Sequence, residues 1–513
     1  MRQSVAIGLA LVTMVLVGSD RPFAQPAQRH TQLVIVVDGL RPDYVTREVM
    51  PRLFRLGQRG VVFRAHHSVF PTVTRVNASS LVTGVYPESH GLLGNTIYIP
   101  AVDGSKGLDT GEKANLEAVA RSEGTLLTAP TLSELLKPAG KTLLAVSSGS
   151  TGSVFLLNHT VATGGIIHYD FSAPPSLSAR VKALLGPPPG KATPNDPLNN
   201  FAIDAYLKVG LTEVHPDVTF MWLNDPDGTA HSNGIGAELT LKSLALVDAG
   251  IGRIEDTLRA QGVLDRTNIM VTSDHGFSTH TREFRLAALV EPFARHLPDG
   301  SSDIVVVEGA IYLRSGKDPA RVAAMVAALQ KRPEVGAIFT RPDSGSQGGS
   351  NPEGVVPGTL SYDVIRWNHP RAGDLLVSAN WNDSRNDRGW PGKTTDSGVA
   401  GHGTSSPFDI HNTLIAAGPD FREHAVSDVP SANVDITPTL LHLLGMSQAA
   451  GMTGRVVEEA LRGGPAIESV GVEHALETVQ TADGSYKLTA YISRAAGHTY
   501  LDYTEVRRAA PAR

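Results

Sequence analysis

The sequence predicts an α/β protein: a mostly parallel central sheet flanked by helices, with an inserted α+β subdomain. Three observations lead there. Continuous apolar, β-branched runs recur, the first at 33–37, and each stops at a polar turn such as Asp38-Gly39. Such runs mark strands covered on both faces of a parallel sheet. Helical segments lie between the runs, which implies βαβ units. The chain has 513 residues, 41% hydrophobic and 19% charged, enough to bury a sizeable core.

The elements follow in order. Arg2, an apolar run over 5–17 and the small residues Gly18, Ser19 and Ala24 make 1–24 read as a cleaved secretory signal, with an uncleaved N-terminal anchor as the alternative. No second long apolar run follows, so the mature chain is expected to be exported, periplasmic or secreted, with no membrane span. A catalytic core is expected over 31–280 and 399–460. It holds strands at 33–37, 61–63, 141–146, 217–223, 268–272 and 413–416, and helices at 50–60, 78–83, 239–261 and 434–444. Residues 281–398 break the rhythm. A strand at 309–313, a helix at 319–331 and a Gly/Ser/Asn/Pro-rich stretch over 344–357 read as an inserted cap subdomain. Alternation through Tyr486, Leu488 and Tyr491 makes 465–513 a set of C-terminal strands, a terminal hairpin.

Composition removes several classes. There is no Cys, which excludes disulfides, thiolate zinc sites, iron–sulfur clusters and a cysteine nucleophile. Net charge is −6 with no basic block, which argues against a dedicated nucleic-acid partner.

The chemistry-bearing residues stand at strand ends. Asp38 ends the first strand. Asp227 and His231 follow another, Asp274 and His275 a third, and His402 lies between two glycines. Singly, each has an ordinary explanation: an Asp-Gly turn, a helix cap, a core histidine. Together, three carboxylates and three imidazoles at the converging edge of a parallel sheet fill two neighbouring zinc-like centres, with manganese or iron as alternatives. The segment 70–95 is dense in hydroxyls just before a helix, and a helix start suits a phosphate. A hydroxyl beside a metal ion loses its proton near neutral pH and becomes a nucleophile.

These residues resemble the alkaline phosphatase superfamily and, within it, the nucleotide pyrophosphatase/phosphodiesterase (type I phosphodiesterase) family. Five motifs carry the resemblance, in order, over most of 31–445: Val37-Asp38-Gly39; Thr74, then Asn77 three residues on and Leu81-Val82-Thr83-Gly84 through Pro87 to His90-Gly91; Pro226-Asp227 with His231; Ser273-Asp274-His275-Gly276; and Gly401-His402-Gly403. The resemblance implies an alkaline-phosphatase-like fold and a hydrolase acting on small-molecule phosphoesters or phosphoanhydrides through a threonine phosphoryl-enzyme and two Zn2+. It implies Thr74 as nucleophile, with Thr72 the rival that lacks the spacing to Asn77. It implies Asn77 as a donor to a phosphoryl oxygen. Asp227, His231 and His402 would hold one zinc; Asp38, Asp274 and His275, with the Thr74 oxygen, would hold the other.

The chain departs from the family at Arg75-Val76, where Phe-Pro is usual. Arg75 is either an outward surface charge or a cation beside the substrate. In the second case it favours monoesters, which carry one more negative charge, and a phosphomonoesterase or phosphonate hydrolase becomes the alternative. A non-catalytic metal-binding protein is the third class. Asp435 reads as a structural cap. Trp367, Trp381 and Trp390 either stack on a nucleobase or pack within the insertion.

Overall fold

The computed structural model describes residues 30–342 and 352–509. The expected signal at 1–24 lies outside the described residues, as does most of the Gly-rich stretch at 344–357. Among the described residues no helix is long and apolar enough to cross a membrane.

Strand Thr31–Val37 is the axis of a nine-stranded sheet. It pairs in parallel with Thr267–Thr272 on one side and Val218–Leu223 on the other, so its side chains from Leu33 to Val37 are all buried. At roughly 1.5–3 kcal/mol per buried aliphatic side chain, burial of these five residues favours both pairings. Leu143–Ser147 and Gly165–His168 extend the parallel run. The sheet turns antiparallel where Leu414–Ala417 pairs with Thr267–Thr272 and Val61–Phe63, and again at Ser172–Ala173 on the far edge. The sheet is therefore mostly parallel, as expected, with helices on both faces: Thr74–Thr83 on one, Pro51–Arg59 and the long Glu238–Ala260 on the other.

Register decides what the strands deliver. Val37 stands opposite Leu223, and Asp38 N–H donates to the Leu223 carbonyl at 3.0 Å. Asp227 N–H donates back to the Asp38 carbonyl at 3.1 Å. The ends of three parallel strands thus emerge together. Gly39, at φ +72°, makes the turn beneath them: a Cβ there would lie 3.1 Å from the Phe277 ring and 3.2 Å from the Asp227 Cβ.

The insertion is a five-stranded sheet built from Ile304–Val307, Ala310–Leu313, Leu375–Ala379, Val335–Thr340 and Leu360–Ser361, with helix Pro319–Leu329 packed on it. A second small sheet joins Trp381–Arg385, Pro391–Thr394, Ser278–His280 and Ala400–Gly401. It runs through both expected borders of the insertion, stitching the insertion to the core. The terminus is a three-stranded antiparallel sheet rather than one hairpin: Val472–Gln480, Tyr486–Ala495 and His498–Arg508.

Candidate active site

The helix Thr74–Thr83 begins earlier than its sequence suggests, at Thr74 itself. Thr74 therefore occupies the first turn, where N–H groups lack intrahelical acceptors. Its Oγ1 lies 3.4 Å from His275 Nε2. The rival, Thr72, donates to the Thr404 carbonyl at 2.8 Å and accepts from Gly403 N–H at 3.0 Å. Thr72 is fully buried, and its hydroxyl is committed to the loop of His402.

Two donor sets flank Thr74. Asp227, His231 and His402 form one; Asp38, Asp274 and His275 form the other; within each set one ligand atom per residue lies within 4.8 Å of the rest. The helix Asp227–Asn233 places Asp227 and His231 one turn apart, with His231 Nε2 at 3.2 Å and His402 Nε2 at 3.4 Å from Asp227 Oδ1. His275 Nε2 stands 3.1 Å from Asp274 Oδ2 and 3.6 Å from Asp38 Oδ1. The His275 and His402 rings stack with centroids 3.4 Å apart, so the sets share a wall.

Each histidine is fixed from behind. His231 donates its Nδ1–H to the Ala400 carbonyl at 3.0 Å, His402 to that of Thr72 at 2.8 Å, and His275 to that of Gly276 at 2.9 Å. That leaves the three Nε2 atoms aimed inward, the ring orientation a metal ligand needs. The carboxylates follow the same logic. Trp222 Nε1–H holds Asp38 Oδ2 at 2.8 Å, and Gly39 N–H holds Asp274 Oδ1 at 3.1 Å. The opposite oxygens, Asp38 Oδ1 and Asp274 Oδ2, together with Asp227 Oδ1, are buried without a hydrogen-bond partner.

The electrostatics are those of a site short of positive charge. Burial, then the charges of Asp274 and Asp227, push the Asp38 carboxyl well above the usual carboxylate range. Asp227 is held well below that range: burial opposes this, but His231 and His402 outweigh it. Asp227 in turn raises His231 to about 9. Burial and the neighbouring His275 lower His402 to about 4. Buried carboxylates with orphaned oxygens, crowded beside imidazoles whose Nδ1 sides are already engaged, fit a pair of divalent cations.

The remaining expected residues land differently. Asn77 is buried, and its side chain is fully engaged: Oδ1 accepts from Val69 N–H and Asn433 Nδ2, while Nδ2 donates to the carbonyls of Val69 and Val73. As the fourth residue of the helix it faces the core and braces the Thr74 loop, so it offers nothing to a phosphoryl oxygen. The amide that reaches the helix start is Asn95, whose Oδ1 accepts Arg75 N–H at 2.9 Å; its Nδ2 makes no hydrogen bond among the described residues. Sequence reasoning missed it because no periodic spacing links 74 to 95. Arg75 is not an outward surface charge: its side chain is mostly buried. Its charge acts on His231, Nη2 lies 3.6 Å from Asp109, and its buried Nε has no partner. Asp435 is structural, but it reaches back to Ala432 N–H and across to Arg455 N–H rather than capping its own helix. Trp367 is fully buried, with Nε1 bonded to the Leu93 carbonyl; Trp390 packs on Tyr44, and Trp381 bonds the Thr504 carbonyl.

The comparisons agree with this picture. The model of the type I phosphodiesterase / nucleotide pyrophosphatase family matches residues 32–404. Ectonucleotide pyrophosphatase/phosphodiesterase family member 1 of Homo sapiens is 27% identical over 249 residues, 48% of this chain and 23% of that protein. Bis(5'-adenosyl)-triphosphatase ENPP4 of Pongo abelii is 24% identical over 424 residues, 81% of this chain and 78% of that protein. The chain thus spans about a quarter of the length of the first of these curated relatives. Murine ectonucleotide pyrophosphatase / phosphodiesterase 5, solved as an inactive Thr-to-Ala variant in complex with AMP, superposes with a TM-score of 0.58 at 19% identity, covering 84% of this chain and 100% of that one. With the family model covering nearly three quarters of its length, the chain belongs to the type I phosphodiesterase / nucleotide pyrophosphatase family.

Proposed function

We propose that this protein is an exported, zinc-dependent phosphodiesterase/nucleotide pyrophosphatase that cleaves small-molecule phosphoester or phosphoanhydride bonds through a phosphothreonine at Thr74. One observation carries the proposal: two adjoining donor sets, with three orphaned carboxylate oxygens among them, stand beside a single hydroxyl at a helix start.

The residues divide the work. Asp227, His231 and His402 hold one cation; Asp38, Asp274 and His275 hold the other. Two bound cations supply the positive charge that acidifies the Thr74 hydroxyl and offsets charge on the leaving oxygen. Thr74 Oγ1 attacks phosphorus, the bond to the leaving oxygen breaks, and water then cleaves the Thr74–phosphorus ester. The N–H groups of the first helical turn that Asn95 and Val73 leave unengaged, with the Asn95 Nδ2, bind the non-bridging oxygens. Asn95 thereby takes the role first expected of Asn77. Trp222 and Gly39 hold two carboxylates in place, and Thr72 holds the His402 loop. Catalysis by positioning and electrostatics is what phosphoryl transfer requires.

The test is a substrate panel with metal analysis. Aryl phosphodiesters and dinucleotides turn over, two zinc ions bind at these sets, and a brief quench leaves phosphate on the Thr74 peptide by mass spectrometry. Zinc-independent turnover, or phosphate on another residue, overturns the assignment. Cleavage after residue 24, read by N-terminal sequencing of exported protein, tests the location. Arg75 favours a second reading, a preference for monoesters on the same scaffold, because its mostly buried cation follows Thr74 directly in the helix.

A further inference from the structure

A third cluster of ligand-type side chains lies outside both sets. One ligand atom from each of His67, His411 and Asp502 lies within 4.8 Å of the others. The three come from distant parts of the chain: the short strand His66–His67, the residue after helix Pro407–Ile410, and the last strand, His498–Arg508.

Local structure prepares each group. His67 donates its Nδ1–H to the Ser431 carbonyl at 2.8 Å, which leaves Nε2 facing Asp502 Oδ1, also at 2.8 Å. Asp502 is the extra residue of a β-bulge: Tyr491 pairs with Tyr503 and Ile492 with Leu501, so Asp502 has no cross-strand partner. A bulge re-aims a side chain, and here it turns the carboxylate out of the sheet toward His67. Ser493 Oγ donates to Asp502 and fixes its orientation. His411 Nδ1 is buried with no hydrogen-bond partner. Burial, and then the neighbouring His67, lower His411 to about 3, so its ring is neutral with a lone pair to offer. Tyr500 stacks on His67, with centroids 5.6 Å apart, and covers one side.

We infer that His67, His411 and Asp502 form a third, structural site for a zinc-type divalent cation that clips the C-terminal sheet to the core. Two imidazoles and a carboxylate, with His67 oriented by the Ser431 carbonyl and Asp502 by the Ser493 hydroxyl, are a donor set such an ion selects. Two ligands at about 2.0–2.2 Å on a tetrahedral ion stand roughly 3.3 Å apart, so the His67–Asp502 pair opens by about 0.5 Å to admit it. The competing arrangement is a hydrogen-bonded His67–Asp502 pair with no ion.

The full chain, loaded with ZnCl2 and desalted, decides between them. Elemental analysis is expected to give three zinc per chain, and Asp502→Asn and His411→Ala two each, with the diesterase rate retained. Anomalous scattering at the zinc edge on unmodified crystals is expected to place a peak among His67, His411 and Asp502, and it decides the matter even if the variants fail to fold. The same zinc content in wild type and both variants, or no peak at that position, overturns the inference. Zinc lost from the Asp38 and Asp227 positions would count against the catalytic proposal alone.

Discussion

The orientation of Asp38 can be tested without touching a ligand. Trp222 is fully buried, and its indole N–H is the hydrogen bond that fixes Asp38 Oδ2, leaving Oδ1 free beside Asp274 and His275. Trp222→Phe keeps an aromatic ring in the strand and removes that donor. A hydrogen bond to a charged group contributes about 1.5–3 kcal/mol. At about 1.4 kcal/mol per decade this is roughly a 10- to 150-fold effect, which agrees with the 10- to 100-fold typical of lost outer partners of metal ligands. The assay is aryl diester hydrolysis across a series of zinc buffers. The free zinc giving half-maximal rate should rise by about 10- to 100-fold, while kcat at saturating zinc is retained. A lowered kcat with an unchanged zinc requirement would refute the reasoning, because it would place Trp222 in the reaction rather than behind a ligand. Unfolding of the zinc-free protein, measured in parallel, separates the cost of the smaller ring.

Three further outcomes follow. Thr74→Ala should abolish turnover and keep both catalytic zinc ions, whereas Thr72→Val should lose stability, by about 1–3 kcal/mol for the orphaned Gly403 and Thr404 groups, yet still form the phosphothreonine; denaturation and quench experiments read both. Arg75→Ala should lower monoester turnover relative to diester by about tenfold or more, since the lost charge-assisted contact serves the extra negative charge; an unchanged ratio removes the monoester reading. Burial, then the nearby His369 and Arg371 charges, lower His90 to about 3. Its folded value lies below its unfolded one, so its contribution to stability is full above about pH 6.5 and falls by about 1.4 kcal/mol per unit as pH drops toward 3; His90→Gln should flatten urea-unfolding stability over that window by one proton in metal-free protein.

The sheet was legible because its central strands are buried on both faces, which writes the same apolar run into the chain each time. The donor sets were legible for a related reason: parallel strands end on one edge, so Asp38, Asp227 and Asp274 had to meet. What escaped the sequence depends on side-chain direction. Thr74 and Val76 are β-branched and hid the first turn of the helix. Asn77, three residues along that helix, points into the core, while Asn95 arrives over a path with no periodicity. Asp502 reaches His67 only because a bulge breaks the alternation that made the last strands readable.

One turn of the insertion reaches the Asn95 loop, and that sets the last test. Ile304–Val307 and Ala310–Leu313 are joined by Glu308 and Gly309, both at positive φ, +46° and +89°, the tight hairpin turn whose twist matches its strands. The turn delivers the Glu308 carboxylate to Asn95 N–H at 2.6 Å and Thr96 Oγ1 at 3.2 Å, where it also feels the charge of Arg75. Arg75 is thus opposed by two acids, Asp109 and Glu308, before any substrate binds. The cation available to a phosphate monoester is what those acids leave uncompensated. Glu308→Gln keeps the turn and one acceptor oxygen but removes a negative charge from that balance. Monoester turnover should therefore rise relative to diester, opposite in sign to Arg75→Ala, and the effect should vanish in an Arg75→Ala background. A change of the same size in that background would show that Glu308 acts through Asn95 and the position of the oxygen donors, not through the charge of Arg75.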